Sequence, residues 1–292
     1  MYELIKISEK CFYIDCPAKV GVVLLDSGEV ALIDSGSDRS AAKKIGKTLE
    51  EAGFVPGVIF NTHSHADHIG GNSYFESKYG CKIYAPRIEA AFTENTILEP
   101  ALLYGGRPPR QLLHKFLLAE GSAALPLSDS IMPDDMKIIP LPGHSPEMVG
   151  YLTSDGVAFI GDAVAREETL DKYGVGYTYD VSEHLITLSE VAKMKGYIFV
   201  PSHADPTDNI LPLAEYNIKK TLEVEERILE LCADAICFDD LLANLFDAYQ
   251  MTMTHIQYAL IGSTLRGYIT HLEAKGRLEA IIENNRLLYR KI

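Results

Sequence analysis

Residues 58–71 read VIFNTHSHADHIGG. The run Val58–Asn61 has the length and apolar character of a short core strand. It leads straight into His63, His65, Asp67 and His68, three imidazoles and one carboxylate within six residues. Donors at the C-terminal lip of an apolar strand sit where open α/β sheets place their ligands. Imidazole suits zinc and other borderline first-row metals, and a carboxylate admits harder ions. His63 and His65, two residues apart, can face one metal; Asp67 and His68, one step round the turn, can face a second. Histidines this dense would repel one another on protonation if no cation held them, which weighs against a fortuitous surface cluster.

Working outward, the opening of the chain reads as strands (Glu3–Ile7, Cys11–Asp15, Val20–Leu25, Val30–Asp34) with a hairpin turn at Asp26-Ser27-Gly28. Asp38–Ala52 has helical spacing, with Ala42, Ile45 and Leu49 on one face and Gly53 as its stop. Asn72–Tyr79 and Arg87–Phe92 read as helices on either side of the strand Lys82–Ala85. Residues 93–125, which contain Tyr104-Gly105-Gly106-Arg107-Pro108-Pro109, break the alternation and read as an insertion near a site mouth. Beyond it come Lys137–Leu141, a hairpin of Val149–Thr153 with Val157–Ile160, the helix Ser182–Lys195 and the strand Tyr197–Pro201. Three further donors follow strands: His144 in PGHS, Asp162 after Gly161, and His203 in PSHAD. Each alone reads as a structural or turn residue. Their joint occurrence downstream of the histidine cluster points instead to a shared metal site.

After Pro212 the texture turns helical: Leu213–Cys232, Phe238–Tyr249 and Thr254–Lys275, then strands Arg277–Glu283 and Arg286–Lys291 around Asn284-Asn285. Helix, helix, helix, hairpin is winged-helix order. The expected division is therefore a catalytic part over 1–211 and a small helical C-terminal part over 212–292. The formal charge is −14. From Ile236 to Ile292 six acids balance six bases, so the whole excess lies in the first 235 residues. An acidic chain without a basic patch disfavours nucleic acid as partner. Five scattered cysteines with no CxxC pair read as buried thiols in a reducing compartment. No apolar run is long enough to span a membrane, and the opening MYELIKISEK lacks a secretory pattern. The expected location is cytoplasmic.

The order Asp34-Ser35-Gly36, His63-x-His65-x-Asp67-His68, His144, Asp162, His203 resembles the metallo-β-lactamase-fold hydrolase superfamily, over about residues 1–205. The resemblance implies an α+β chain with an αββα sandwich and a two-metal site at one edge. Carried onto matching positions, His63, His65 and His144 would hold one metal, and Asp67, His68 and His203 the other. Asp162 would bridge them, and Asp34 would orient the ligand loop. Zinc is the first expectation, with manganese or iron also fitting such donors. An aspartate at 162, where zinc β-lactamases carry a cysteine, looks more like the glyoxalase II, lactonase and nuclease branches. A persulfide-dioxygenase-like branch uses one iron and lacks some second-metal ligands, all of which are present here.

The resemblance implies hydrolysis: two divalent ions acidify a shared water, and the bridging hydroxide attacks an electrophilic carbonyl or phosphorus. The departing group would be stabilised by the other metal or by a protonated Asp67, the expected catalytic residue. A small ester, thioester or lactone is the expected substrate. The alternative is a phosphodiesterase or endoribonuclease using the winged helix as its platform, and a non-catalytic metal-binding regulator is a third class. The C-terminal part resembles the appendage of β-lactamase-like endoribonucleases, with Ser263–Lys275 as the recognition-helix analogue. Its balanced charge favours a packing or homodimerisation module. Tyr173, Tyr177, Tyr179 and Arg107 are expected at the substrate rim, with Lys172 in the same segment and Arg110 beside Arg107. His114, His184, His255 and His271 read as structural.

Overall fold

The computed structural model describes residues 2–292. The first sheet takes β1 (Glu3–Lys6), β2 (Cys11–Asp15), β3 (Val20–Leu24) and β4 (Val30–Ile33) as an antiparallel meander. A helix, α1 (Arg39–Glu51), leads to β5 (Pro56–Phe60), which pairs parallel to β4. The short α2 (Ala66–Ile69) and α3 (Asn72–Tyr79) precede β6 (Lys82–Ala85), and α4 (Arg87–Glu94) and α5 (Leu98–Tyr104) precede β7 (Leu125–Pro126). The order of this sheet is β1-β2-β3-β4-β5-β6-β7.

A second sheet is built from β8 (Met136–Pro140), β9 (Val149–Thr153) and β10 (Val157–Phe159). After α6 (Glu167–Tyr173) and α7 (Val181–Val191), β11 (Ile198–Val200) joins its edge parallel to β10, in the order β11-β10-β9-β8. The period of two along each strand explains why the sheets stack. On β4, Ala31 and Ile33 face an inner core shared with Tyr151, Val157 and Phe159 of the second sheet. Val30 and Leu32 face the opposite way, onto Ile45 and Leu49 of α1 and Phe75 of α3. On β10, Ala158 turns outward onto Leu188 and Val191 of α7. Helices therefore cover both outer faces, and the fold is the αββα sandwich expected.

The chain continues through α8 (Leu211–Leu231), β12 (Ile236–Cys237), α9 (Phe238–Ala248), α10 (His255–Ala274), β13 (Leu278–Glu283) and β14 (Arg286–Lys291). The last strands form a small sheet in the order β12-β14-β13. One helix serves two cores: α8 gives Ala214 to the outer core of the sandwich and Val224, Ile228 and Leu229 to the C-terminal one.

Most elements fall within a few residues of their expected bounds. Two differ in kind. The segment 93–125 contains α5, whose Leu103 is buried, and ends in a strand paired with β6. Residues 167–173, expected as rim loop, form α6. One buried residue, Leu170, gives it too little apolar periodicity to notice. Its charges do carry the signal: Glu167 and Glu168 in the first turn and Lys172 in the last complement the helix dipole. The five cysteines are free. No helix among the described residues is long and apolar enough to cross a membrane.

Candidate metal centre

The donors converge because each follows the C-terminal end of a strand. Asp34 leaves β4 with φ 65°, and its carboxylate accepts hydrogen bonds from Thr62 N, Thr62 Oγ1 and His68 Nδ1, each at 2.8 Å. That one buried side chain thus clamps the loop after β5 and the helix α2. The close approach is permitted by Gly70 and Gly71, where a Cβ would collide with the carbonyls of Ser37 and Ser35. His144 stands in the loop after β8. There Gly143, at φ 120°, lies so near the backbone of His184 that a Cβ would not fit. Asp162 follows β10 and His203 follows β11.

The imidazole tautomers are set from behind. Thr62 Oγ1 donates to Asp34, which leaves it to accept from His63 Nδ1 at 3.0 Å and turns a bare His63 Nε2 inward. Asp34 does the same for His68. The carbonyl of Pro17 accepts from His203 Nδ1 at 2.9 Å. His65 is reversed: its Nδ1 faces inward, while its Nε2 lies 3.6 Å from Glu99 Oε1.

Three donor groups result. His63, His65 and His144 form one, His63, His68 and Asp162 a second, and Asp67, His68 and His203 a third; within each, the atoms lie inside 4.8 Å of one another. His65 Nδ1 is 2.9 Å from His63 Nε2 and 3.1 Å from His144 Nε2. Asp162 reaches both ends, with Oδ1 3.4 Å from His68 Nε2 and Oδ2 3.5 Å from His144 Nε2 and 3.4 Å from His203 Nε2. Asp67 Oδ2 lies 3.1 Å from His203 Nε2.

Two buried atoms, His68 Nε2 and Asp162 Oδ1, have no hydrogen-bond partner. Orphaned polar atoms are costly unless something else satisfies them. Together with three inward nitrogens at hydrogen-bond spacing, they fit divalent cations by donor type and placement.

The electrostatics divide the site. Burial and neighbouring histidines hold His63 well below the ordinary histidine range and His144 down at about 4. Burial lowers His65 as well. The opposite holds for His68 and His203. Burial disfavours a charged His68, yet Asp162, Asp67 and Asp34 together push it up. Asp162 raises His203 to about 10. Burial works to raise Asp162 and Asp67, but the facing histidines outweigh it and keep both carboxyls below the usual range.

Around the donors, two carboxyl side chains appear that the sequence reading passed over. Glu89 of α4 is fully buried and accepts from Ser64 N, Ser64 Oγ, Ser145 Oγ and Glu147 N, at 2.6–3.0 Å. It ties the His63–His65 loop to the His144 loop. Glu99 of α5 is also buried, and burial pushes its carboxyl up to about 8.

A cavity of about 740 Å³ opens from His144, Asp162 and His203. Tyr173 and Tyr177 line it, and the Tyr177 ring packs edge-on against His65 and His144. Arg107 and Tyr179, expected at the same rim, stand elsewhere. Arg107 is exposed in the turn after α5, and Tyr179 is half-exposed, its backbone N–H donating to Gly143 O. His184, expected as structural, is buried, held neutral by burial at about 3, and also lines the cavity. His271 lies between Ser182 Oγ at 2.6 Å and Glu225 Oε2 at 3.2 Å, a packing role.

The sequence pattern of the Metallo-beta-lactamase superfamily matches residues 14–203. Among curated proteins, a hydroxyacylglutathione hydrolase of Maricaulis maris is 30% identical over 140 residues, 48% of this chain and 44% of that protein. The chain thus spans less than half the length of that relative. A probable metallo-hydrolase, YybB, of Bacillus subtilis is 26% identical over 207 residues, 66% of this chain and 86% of the relative. Among solved structures, a beta-lactamase domain protein from Burkholderia ambifaria superposes with a TM-score of 0.72 at 15% identity, over 99% of this chain and 93% of that one. A metallo-beta-lactamase family protein from Thermus thermophilus gives 0.71 at 18% identity, over 99% and 97%. These likenesses concern the fold.

Proposed function

Because the chain belongs to the metallo-beta-lactamase superfamily, we propose that it is a two-metal hydrolase of a small ester, thioester or lactone. The observation that carries this reading is the inward convergence of bare imidazole nitrogens on Asp162, with His68 Nε2 and Asp162 Oδ1 left unsatisfied by protein. In this reading His63, His65 and His144 hold one cation, Asp67, His68 and His203 the other, and Asp162 joins them. Zinc is the first choice, with manganese or iron as alternatives. Divalent cations bound there supply Lewis acidity and acidify water near neutral pH.

The protein's own contribution is position and proton traffic. Asp34 fixes the His68 ring directly and the His63 ring through Thr62. Asp67 starts ionised, held so by His68 and His203. In this reading its carboxylate would accept a hydrogen bond from the attacking water and, once protonated, would stabilise the departing thiolate or alkoxide. Tyr177, whose hydroxyl burial keeps protonated, offers a donor at the cavity wall.

Residues 212–292 act in this reading as a wall that completes the pocket. The proposed recognition-helix analogue faces inward. Thr264 Oγ1 accepts from Thr178 N at 3.2 Å, His271 meets Ser182, and Thr264, Tyr268 and His271 are buried. That arrangement supports a small-molecule hydrolase over a nuclease.

Elemental analysis of the purified chain, paired with turnover of hydroxyacylglutathione thioesters, simple esters and lactones before and after chelation, tests the reading. Two equivalents of metal and chelator-sensitive hydrolysis are expected. A metal-loaded chain that cleaves none of these classes overturns it.

A further inference from the structure

The cavity that begins at His144, Asp162 and His203 runs on well past the donors, at about 740 Å³. That is the volume of a pocket for a drug-sized ligand, far more than a two- or three-carbon acyl group fills. Aliphatic side chains stand in its lining between polar ones such as Gln250, Thr254 and Gln257. Leu170 and Val175 come from α6 and the segment after it, Val224 from α8, Met251 from the α9–α10 connection, and Leu260 and Ile261 from α10. Val175, Val224 and Ile261 also belong to the C-terminal core and are nearly buried, whereas Met251 and Leu260 are half-buried.

Two of the three basic side chains on the lining are ion-paired, though Arg166 Nε itself has no partner. Arg166 pairs with Asp205 at 2.7 Å, Lys220 pairs with Asp171 at 2.9 Å, and Lys172 lies over the Tyr173 ring. Among the described residues lining the cavity, Asp162 is the one acid, in a chain whose acids outnumber its bases. Val224, Met251, Leu260 and Ile261 all stand beyond the 14–203 span matched by the superfamily pattern.

We propose that the substrate is an acyl ester or thioester whose acyl part is an uncharged aliphatic chain of medium length, seated against the Val224, Met251, Leu260 and Ile261 wall. The assignment rests on the hydrolase reading above. Water adds to the acyl carbon, the C–O or C–S bond breaks, and a carboxylate and an alcohol or thiol leave. Chain-length preference is then set by the C-terminal segment, and hydrolytic power by the sandwich.

The test is a p-nitrophenyl ester series from acetyl to octanoyl, with one leaving group throughout, on the metal-loaded full chain. A methylene moved from water to an apolar wall is worth at most about fourfold. We expect kcat/KM to climb by up to that factor per methylene. In Met251→Trp and Leu260→Trp, two half-buried positions where a larger ring shortens the cavity, the octanoyl-to-acetyl ratio should fall at least tenfold. A flat or falling series in the wild-type chain overturns the proposal. Calorimetric titration with 2-decanone and with acetone, neither of which can be hydrolysed, gives a readout independent of turnover. Much tighter binding of 2-decanone supports the aliphatic seat even where no ester is cleaved, and equal binding overturns it. Absence of turnover with every ester, by contrast, counts against the hydrolase reading alone.

Discussion

Two clusters of histidine lie side by side in this molecule, and their proton affinities are shifted in opposite directions. At His63, His65 and His144 burial outweighs the nearby carboxylates, and all three are lowered below the ordinary histidine range. His68 and His203 see Asp34, Asp67 and Asp162, which push both above the ordinary histidine range. Residue type is the same in both; the surrounding carboxylates decide. The lesson concerns how cations enter. A cation entering the trio would meet lone pairs already bare, whereas one entering the second cluster would have to displace protons.

The strongest way to break this contrast is to remove the group common to both sides. Asp162→Asn should cut turnover by about 10³-fold and loosen both metals together. Loss of one metal alone on elemental analysis would show the clusters to be independent. A second measurement uses pH. Groups raised above their ordinary value are protonated below it, so metal binding at Asp67, His68 and His203 releases protons and tightens as pH rises. The change is about tenfold per pH unit for each proton displaced, or about a hundredfold for two. All three histidines of the trio are lowered, His144 to about 4, so metal binding there should displace few protons near neutral pH. Chelator competition between pH 6 and 8 should therefore find one insensitive equivalent and one steep one. Two parallel curves would refute the division.

Asp34→Asn sharpens the contrast further. It frees the His68 ring directly and the His63 ring through Thr62, and should weaken metal binding about 10–100-fold, more at the second cluster than at the trio. Smallest in its chemical effect is Glu89→Ala. It strands four donors around the trio and should cost about 3 kcal/mol in urea unfolding, with second-cluster affinity little changed.

Much of this arrangement was legible before any coordinates. The string His63-x-His65-x-Asp67-His68 is local, and Asp34, His144, Asp162 and His203 each follow an apolar run that reads as a strand. What escaped was whatever binds across the fold without a local pattern. Glu89 sits on α4 among ordinary helix formers, where an acid reads as a solvated face. Its burial is created by Ser64, Ser145 and Glu147, which approach from two other loops. Glu99 did leave a trace, as the single charge in the otherwise uncharged run Thr96–Tyr104. The same limit applies at the rim, where Tyr173 and Tyr177 line the cavity and Arg107 and Tyr179 do not: sequence places a loop near a site but does not say which way its side chains turn.

The hydrogen bond from His203 to the carbonyl of Pro17 joins positions 186 residues apart. During synthesis, the segment bearing the first histidines leaves the ribosome long before its last donor exists. The donor set is complete only after the polypeptide has passed residue 203 and closed back on its own beginning. Assembly of the reactive centre is in this way deferred until the sandwich around it is whole.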